Sequence, residues 1–263
     1  MSHARATRRA ARDDDRAWLR LHIEAVWGVS LPPLTPGVAD VTLADTGAQP
    51  PWALYLGELI TTGKHIRIWR ADVAAADRAS LLAWGEAALA AADAIPASTP
   101  MPGVQCEVAL RPAAPARETP DAAQRLTRPL QRDDPADYAL LATFIGAYDG
   151  IADDDEAAVR AALATEYEPL VGVVVDGRLL ALAHSSRRTG QACELGINTL
   201  PMARQRGYAL AATAAWAALV ADAGLAPIYS AFAENAASLA LAAAAGYHPF
   251  ARAAQVSHAR DQV

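Results

Sequence analysis

The sequence predicts an α/β protein with a mixed sheet, built as two successive halves, and three observations carry that expectation. Apolar strand-like runs alternate with Ala-rich helical stretches along the whole chain. Asp176-Gly177 stands between the runs Leu170–Val175 and Arg178–Arg187, the pattern of a hairpin whose turn needs positive φ. Pro112, Pro115 and Pro120 break up a segment that can hold neither helix nor ladder. We therefore expect an α/β domain over 1–111, a Pro/Ala-rich linker over 112–124 and a second domain over 125–263.

The chain has 263 residues, 53% of them hydrophobic, and a formal net charge of -6. Alanine carries much of that hydrophobicity, and no stretch approaches about 18 strongly apolar residues in a row, so no membrane partner is expected. The acidic balance argues against a large nucleic-acid footprint. Cys106 and Cys193 are the only cysteines, too few for a disulfide scaffold or a Cys-rich metal site, which suits the cytoplasm. The Arg-rich start is interrupted by Asp13-Asp14-Asp15 and reads as a frayed basic arm over about 1–11, not as a targeting segment.

In the first half, Asp14 or Asp15 is expected to cap a helix carrying Trp18, Leu21, His22 and Val26 on one face, ended by Pro32 and Pro33. Trp52–Leu56 and His65–Trp69 read as paired strands around a Gly63-Lys64 turn. A helix is expected over Asp77–Ile95. A strand over Val104–Leu110 should place Val104, Cys106, Val108 and Leu110 on one side.

The second half opens with an expected strand, Arg125–Leu130, then a helix Pro135–Ala147 with Asp134 as its cap and Pro135 at the first position. Asp153–Glu156 precede a helix over Ala157–Thr165, where acids complement the helix dipole. After the hairpin, Gln191–Leu200 reads as a strand with Cys193, Leu195, Ile197 and Thr199 on one face and Glu194, Gly196 and Asn198 on the other. A helix Tyr208–Ala223, stopped by Gly224, leads to the strand Ile228–Phe232, and a last helix Asn235–Ala245 precedes a short terminal strand.

Strand, helix and strand over 191–232 form a right-handed crossover, whose ligand site lies where the first strand ends and the helix begins. Met202-Ala203-Arg204-Gln205-Arg206-Gly207-Tyr208-Ala209 occupies that junction. The first amides of a helix lack internal partners and point outward, so an anion is attracted there. Gly207 admits close backbone approach and Ala209 keeps the next position small; Arg204 and Arg206 either add charge-assisted bonds to a phosphate or serve as solubilising surface residues.

Two motifs extend this reading by resemblance. Arg204-Gln205-Arg206-Gly207-Tyr208-Ala209 resembles the Q/R-x-x-G-x-G/A pyrophosphate loop of the GCN5-related N-acetyltransferase (GNAT) family, and Glu234-Asn235-Ala236-Ala237-Ser238 through Gly246-Tyr247 resembles that family's downstream asparagine helix. The Asn-x-x-Ser form is similar to the zwittermicin-resistance-like branch. The resemblance implies a GNAT fold from about 125 to 256, with the first half a degenerate GNAT-like partner at most. It also implies acetyl-CoA as co-substrate, no metal, and a small-molecule amine as acceptor, in a monomer or homodimer.

Site residues follow from the same resemblance. Ile197, Asn198 and Thr199 would face the pantetheine arm; Arg204, Gln205, Arg206, Gly207, Tyr208 and Ala209 would hold the diphosphate. Asn235 is either a ligand-side asparagine or an ordinary helix cap, and Ser238 accompanies it. Glu194 is the candidate base, with inert strand residue as the alternative, and the acceptor pocket would be formed by the two halves and the acids at Asp153–Glu156. The family's usual acid, a tyrosine seven residues after the asparagine, is here Ala242. Ser238, Tyr247, Tyr148 or Tyr167 are the residues that could stand in, or proximity alone suffices. That gap keeps open a second function, a catalytically weak or inactive acyl-CoA sensor or scaffold. The histidines show no ligand spacing, and His65, His184 and His248 read as surface or half-buried residues.

Overall fold

The computed structural model describes residues 14–47, 49–92, 102–149, 156–162 and 167–257. The basic arm over 1–11 and the acids Asp153–Asp155 lie outside those residues. The chain separates into two compact units, one made of Met1–Arg111, Tyr229–Ala240 and His248–Val263, the other of Pro112–Ile228 and Leu241–Tyr247. Both are α/β, and both carry a mixed sheet.

In the first unit, α1 (Asp15–Trp27) begins because Asp14 Oδ1 accepts the Arg16 amide at 3.0 Å, and it ends on Gly28 at φ 63. The buried face is Trp18, Leu19, His22 and Ile23. Leu21 and Val26, expected there, are only half-buried, because the packed stripe follows i, i+1, i+4, i+5. Strands β1 (Asp40–Thr42), β2 (Leu54–Leu59) and β3 (Lys64–Trp69) precede the helix α2 (Ala75–Ala92) and the strand β4 (Val104–Pro112). The three-residue β1 was too short to be read in advance; it pairs parallel with β3, while β2 and β3 form the expected antiparallel pair. Leu54, Leu56, Trp69, Leu81 and Leu89 pack into one apolar cluster.

The second unit starts with α3 (Asp121–Arg125), a short helix where linker and strand were expected, so that β5 is only Thr127–Leu130. Next come α4 (Pro135–Asp149), α5 (Glu156–Ala162), β6 (Leu170–Val175), β7 (Arg178–Arg188) and β8 (Ala192–Thr199). The expected hairpin is β6–β7, with Asp176 at φ 48 and Gly177 at φ 73 in its turn. Helix α6 (Tyr208–Asp222) leads into β9 (Ala226–Phe232), whose first residues run parallel to β8, as the crossover required. Helix α7 (Ala236–Ala244) and β10 (Tyr247–Val256) are the last elements among the described residues, and β10 has ten residues where a short strand was expected. Leu130, Leu141, Phe144, Leu179, Leu182 and Leu200 form this unit's core.

Segment 113–120 is irregular but anchored: the amides of Ala113 and Ala114 donate to the Gly246 carbonyl, each at 3.0 Å, and the Arg117 amide donates to the Ala244 carbonyl at 2.7 Å. Gly246, at φ 81, lies so close to the Ala114 carbonyl that no Cβ fits. Asp137 of α4 accepts Arg128 at 3.1 Å and the Gln131 amide at 2.9 Å. The Arg128 hydrogen bond holds the Asp137 carboxyl below its usual range. A carboxyl depressed in the folded state stabilises at pH values above its unfolded pKa and loses that contribution as pH falls through the folded one. Asp137→Asn should therefore lower the urea midpoint at pH 7 by an amount worth about 1 kcal/mol or less, since Arg128 is half exposed. Its difference from wild type should close below about pH 4.

Candidate functional site

The loop after β8 is built by backbone geometry that one residue type alone does not announce. Pro201–Ala203 makes a single 3-10 turn, and the chain then passes through Gln205 at φ 61 and Gly207 at φ 78. A non-glycine residue in the left-handed region is uncommon, and here two such turns lie within three residues. Gly207 is the N-cap of α6 and no side chain caps that helix. The first helical bond runs from the Ala211 amide to the Gly207 carbonyl at 3.0 Å, so the amides of Tyr208, Ala209 and Leu210 have no partner inside the helix. Arg204, Gln205 and Arg206 are exposed, and Gly207, Tyr208 and Ala209 half-buried. A Cβ on Gly207 would sit 2.9 Å from Pro120 Cδ, so the 112–120 segment backs the loop and glycine is required on two counts.

Strand β8 leads into that loop with one edge partly unused. It pairs with β9 from Ala192 to Glu194 and with β7 over nearly its whole length. Among the described residues, Leu195–Thr199 pair with β7 alone, so the backbone groups of Ile197, Asn198 and Thr199 on the far edge are available to an extended ligand. All three are half-buried.

Glu194 stands where the two parallel strands part. It is 9% exposed, and Ser186 Oγ donates to its Oε2 at 3.2 Å. Ser186 reaches it because the β7–β8 register shifts between Ser185 and Arg187. The opposite face of this sheet is sealed by α6: Trp216 Nε1 donates to Ser185 Oγ at 3.3 Å, and both residues are fully buried. Farther along the Glu194 face, His184 pairs with Gly196, and its ring lies directly over that glycine. Tyr167 meets the ring edge-on, with centroids 5.9 Å apart.

Glu194, Ile197–Thr199, Arg204–Ala209 and Tyr247 thus belong to the second unit, and Asn235 and Ser238 to the first. Asn235 Oδ1 accepts the Ser238 amide at 3.0 Å, the contact of a helix N-cap. Ser238 Oγ shares a 2.9 Å hydrogen bond with the Tyr229 hydroxyl, whose pKa burial pushes up. Tyr247 is 1% exposed, and Ala242 is fully buried. Burial likewise raises the thiols of Cys106 and Cys193, which keeps both protonated at neutral pH.

No group of three or more His, Cys, Asp or Glu placed to hold a metal occurs among the described residues. A groove of about 230 Å³ lies at the other end of β8, floored by Leu179, Leu200 and Phe144. Six residues of strand, about 20 Å, separate it from Glu194. The sequence singled out the loop and Glu194 as candidates. It did not find Gln205 as a left-handed residue or the stacking of His184 on Gly196, although a glycine inside a strand is the signal for such a close approach.

The model of one protein family, GNAT acetyltransferase, matches residues 171–252. No curated protein matches the chain. Among solved structures, a GNAT-family acetyltransferase from Colwellia psychrerythraea is 20% identical with a TM-score of 0.46, covering 58% of this chain and 56% of its own. A GCN5-related N-acetyltransferase from Sphaerobacter thermophilus is 16% identical with a TM-score of 0.44, covering 58% and 50%. A GCN5-related N-acetyltransferase-like protein from Streptococcus suis is 18% identical with a TM-score of 0.37, covering 81% and 86%. The chain thus spans little more than half the length of the first of these. From β6 to the middle of β10, the residues that carry the strand edge, the two left-handed turns and the uncapped helix are those that match the GNAT acetyltransferases.

Proposed function

We propose that this chain is an acetyl-CoA-dependent N-acetyltransferase acting on a primary amine of a small molecule. The observation that carries it is the junction of β8 and α6, where uncapped helix amides, the left-handed Gln205 and Gly207 and two exposed arginines occur within one short stretch. In this reading Arg204–Ala209 hold the diphosphate of coenzyme A, and the free edge at Ile197–Thr199 takes its pantetheine arm in the manner of an added strand. Bound acetyl-CoA supplies an acetyl group activated as a thioester.

Glu194 takes the surplus proton of the incoming ammonium, directly or through a water, and Ser186 holds the carboxylate in place. Asn235 and Ser238, in the Asn-x-x-Ser pattern of the zwittermicin-resistance-like branch, are further cofactor-binding residues in this reading. The acceptor is a cationic small molecule drawn by acidic residues, in a cytoplasmic protein.

Purified protein offered acetyl-CoA and a panel of primary amines should release free thiol with at least one of them. Binding of acetyl-CoA, read as a rise in Tm, with no thiol released from any amine would favour the second reading, a non-catalytic acyl-CoA sensor. Ala242, which stands where the family's tyrosine acid is expected, is the residue that motivates it.

A further inference from the structure

Resting on the acetyl-transfer reading above, we propose that His184 is the proton-transfer residue for the leaving thiolate, in place of the tyrosine that Ala242 replaces.

Position is the first argument. With the diphosphate held at Arg204–Ala209, the arm can run in one direction only, back along the β8 edge from Thr199 toward Leu195. That edge is free up to the Glu194–Ile228 pair, where β9 begins to occupy it. The reacting end therefore reaches the level of Leu195 and Gly196. His184 is the cross-strand partner of Gly196, on the sheet face that also carries Glu194. Diagonal neighbours across an antiparallel pair lie about 7–8 Å apart, a span that one nitrogen can bridge with a hydrogen bond to each side.

Placement of the ring is the second. A Cβ at position 196 would lie 2.5 Å from His184 Nε2 and 3.0 Å from Nδ1, so the imidazole rests against bare backbone that only glycine allows. Tyr167 abuts the ring at 83° to its plane and fixes its tilt, yet His184 remains half-buried and not sealed. A histidine held this way, half-buried and on the sheet face that carries Glu194, offers a ring whose ordinary chemistry is to take and return a proton.

The step balances without another reactant. Glu194 removes one proton from the ammonium, leaving a neutral amine. The nitrogen–carbon bond forms as the carbon–sulfur bond breaks, and the bonding pair leaves with sulfur. His184 takes the proton that the nitrogen gives up on becoming an amide and delivers it to the sulfur, so the products are the acetamide and the free thiol, with the first proton released to solvent.

His184→Phe, which keeps an aromatic ring over Gly196, tests this alongside Gly196→Ala, which displaces the ring. Expected for His184→Phe is a fall in kcat of about 10²–10³-fold with KM for acetyl-CoA and its ligand-induced rise in Tm nearly unchanged; Gly196→Ala should lose activity similarly. In the unaltered protein, coenzyme A should shield His184 from diethyl pyrocarbonate, read by mass spectrometry without any turnover. If coenzyme A binds but His184 is unshielded, or if His184→Phe turns over at the wild-type rate, the assignment falls while the acetyl-transfer reading stands. If no amine is acetylated, or coenzyme A does not bind, the acetyl-transfer reading fails and takes this assignment with it.

Discussion

Gly207→Glu should abolish binding of acetyl-CoA. Three effects act in the same direction at this residue. Its φ of 78 is one that a side chain adopts only at a cost of about 1 kcal/mol or more. The added Cβ would press on Pro120 Cδ at 2.9 Å, so the loop must shift. The new carboxylate would stand at the uncapped amides of α6, where the proposed diphosphate site lies, and repel a diphosphate. A ligand present at about 100 times its Kd stabilises a protein by about 2.7 kcal/mol, and the variant should show none of that gain in a thermal-shift titration. Arg206→Ala, which leaves the backbone alone, should weaken binding by about tenfold or somewhat more, the worth of one charge-assisted contact. Retention of wild-type affinity by Gly207→Glu would remove the proposed placement of coenzyme A.

The second large effect is expected in the first unit. Glu107 of β4 is 4% exposed and accepts three hydrogen bonds: Tyr55 Oη at 2.7 Å, Gln255 Nε2 at 2.7 Å and His22 Nε2 at 2.9 Å. His22 and Tyr55 are fully buried, and Gln255 is 5% exposed. The carboxylate is satisfied by donors from α1, β2 and β10, so it ties three elements to β4 at one point. Removing it strands those donors in a site that water does not reach, where each lost partner costs about 1–3 kcal/mol. Glu107→Ala should therefore lower unfolding free energy by about 3–5 kcal/mol, and Tm by roughly 10 °C. Glu107→Gln, which keeps the shape and one acceptor, should lose less. A denaturant midpoint unchanged in Glu107→Ala would show that the network contributes nothing net.

Glu107 also marks where sequence patterning stopped being informative. Alternation in Val104–Leu110 placed Cys106 and Val108 inward, because apolar residues at every second position are the usual mark of a buried face. The strand instead buries Glu107 and Ala109 and leaves Cys106 and Val108 half-buried. A carboxylate is admitted to the interior only when donors from distant segments converge on it, and nothing local to β4 records that His22, Tyr55 and Gln255 will arrive there. In α1 the packed stripe likewise keeps Trp18 and His22 but takes Leu19 and Ile23 in place of Leu21 and Val26. An alanine-rich chain offers few large side chains to mark one face unambiguously.

By itself the sequence determined what local chemistry controls. Asp176-Gly177 set the β6–β7 hairpin, Asp134-Pro135 set the start of α4, and the glycine at 207 set the entry to α6, because each depends on a backbone conformation or a cap available within a few residues. The order strand, loop, helix, strand over 192–232 was legible for the same reason. Tertiary structure decided what depends on residues far apart in the chain. Pro120 is brought against Gly207, Ala114 against Gly246, His184 onto Gly196 and Ser186 to Glu194. Each of these contacts closes a loop of ten to more than a hundred residues or turns on a one-residue shift in strand register, and local composition does not name the partner in either case. The loop between β8 and α6 was therefore legible in its own residues, whereas the setting of Glu194 and His184 became visible only when β7 was laid beside β8.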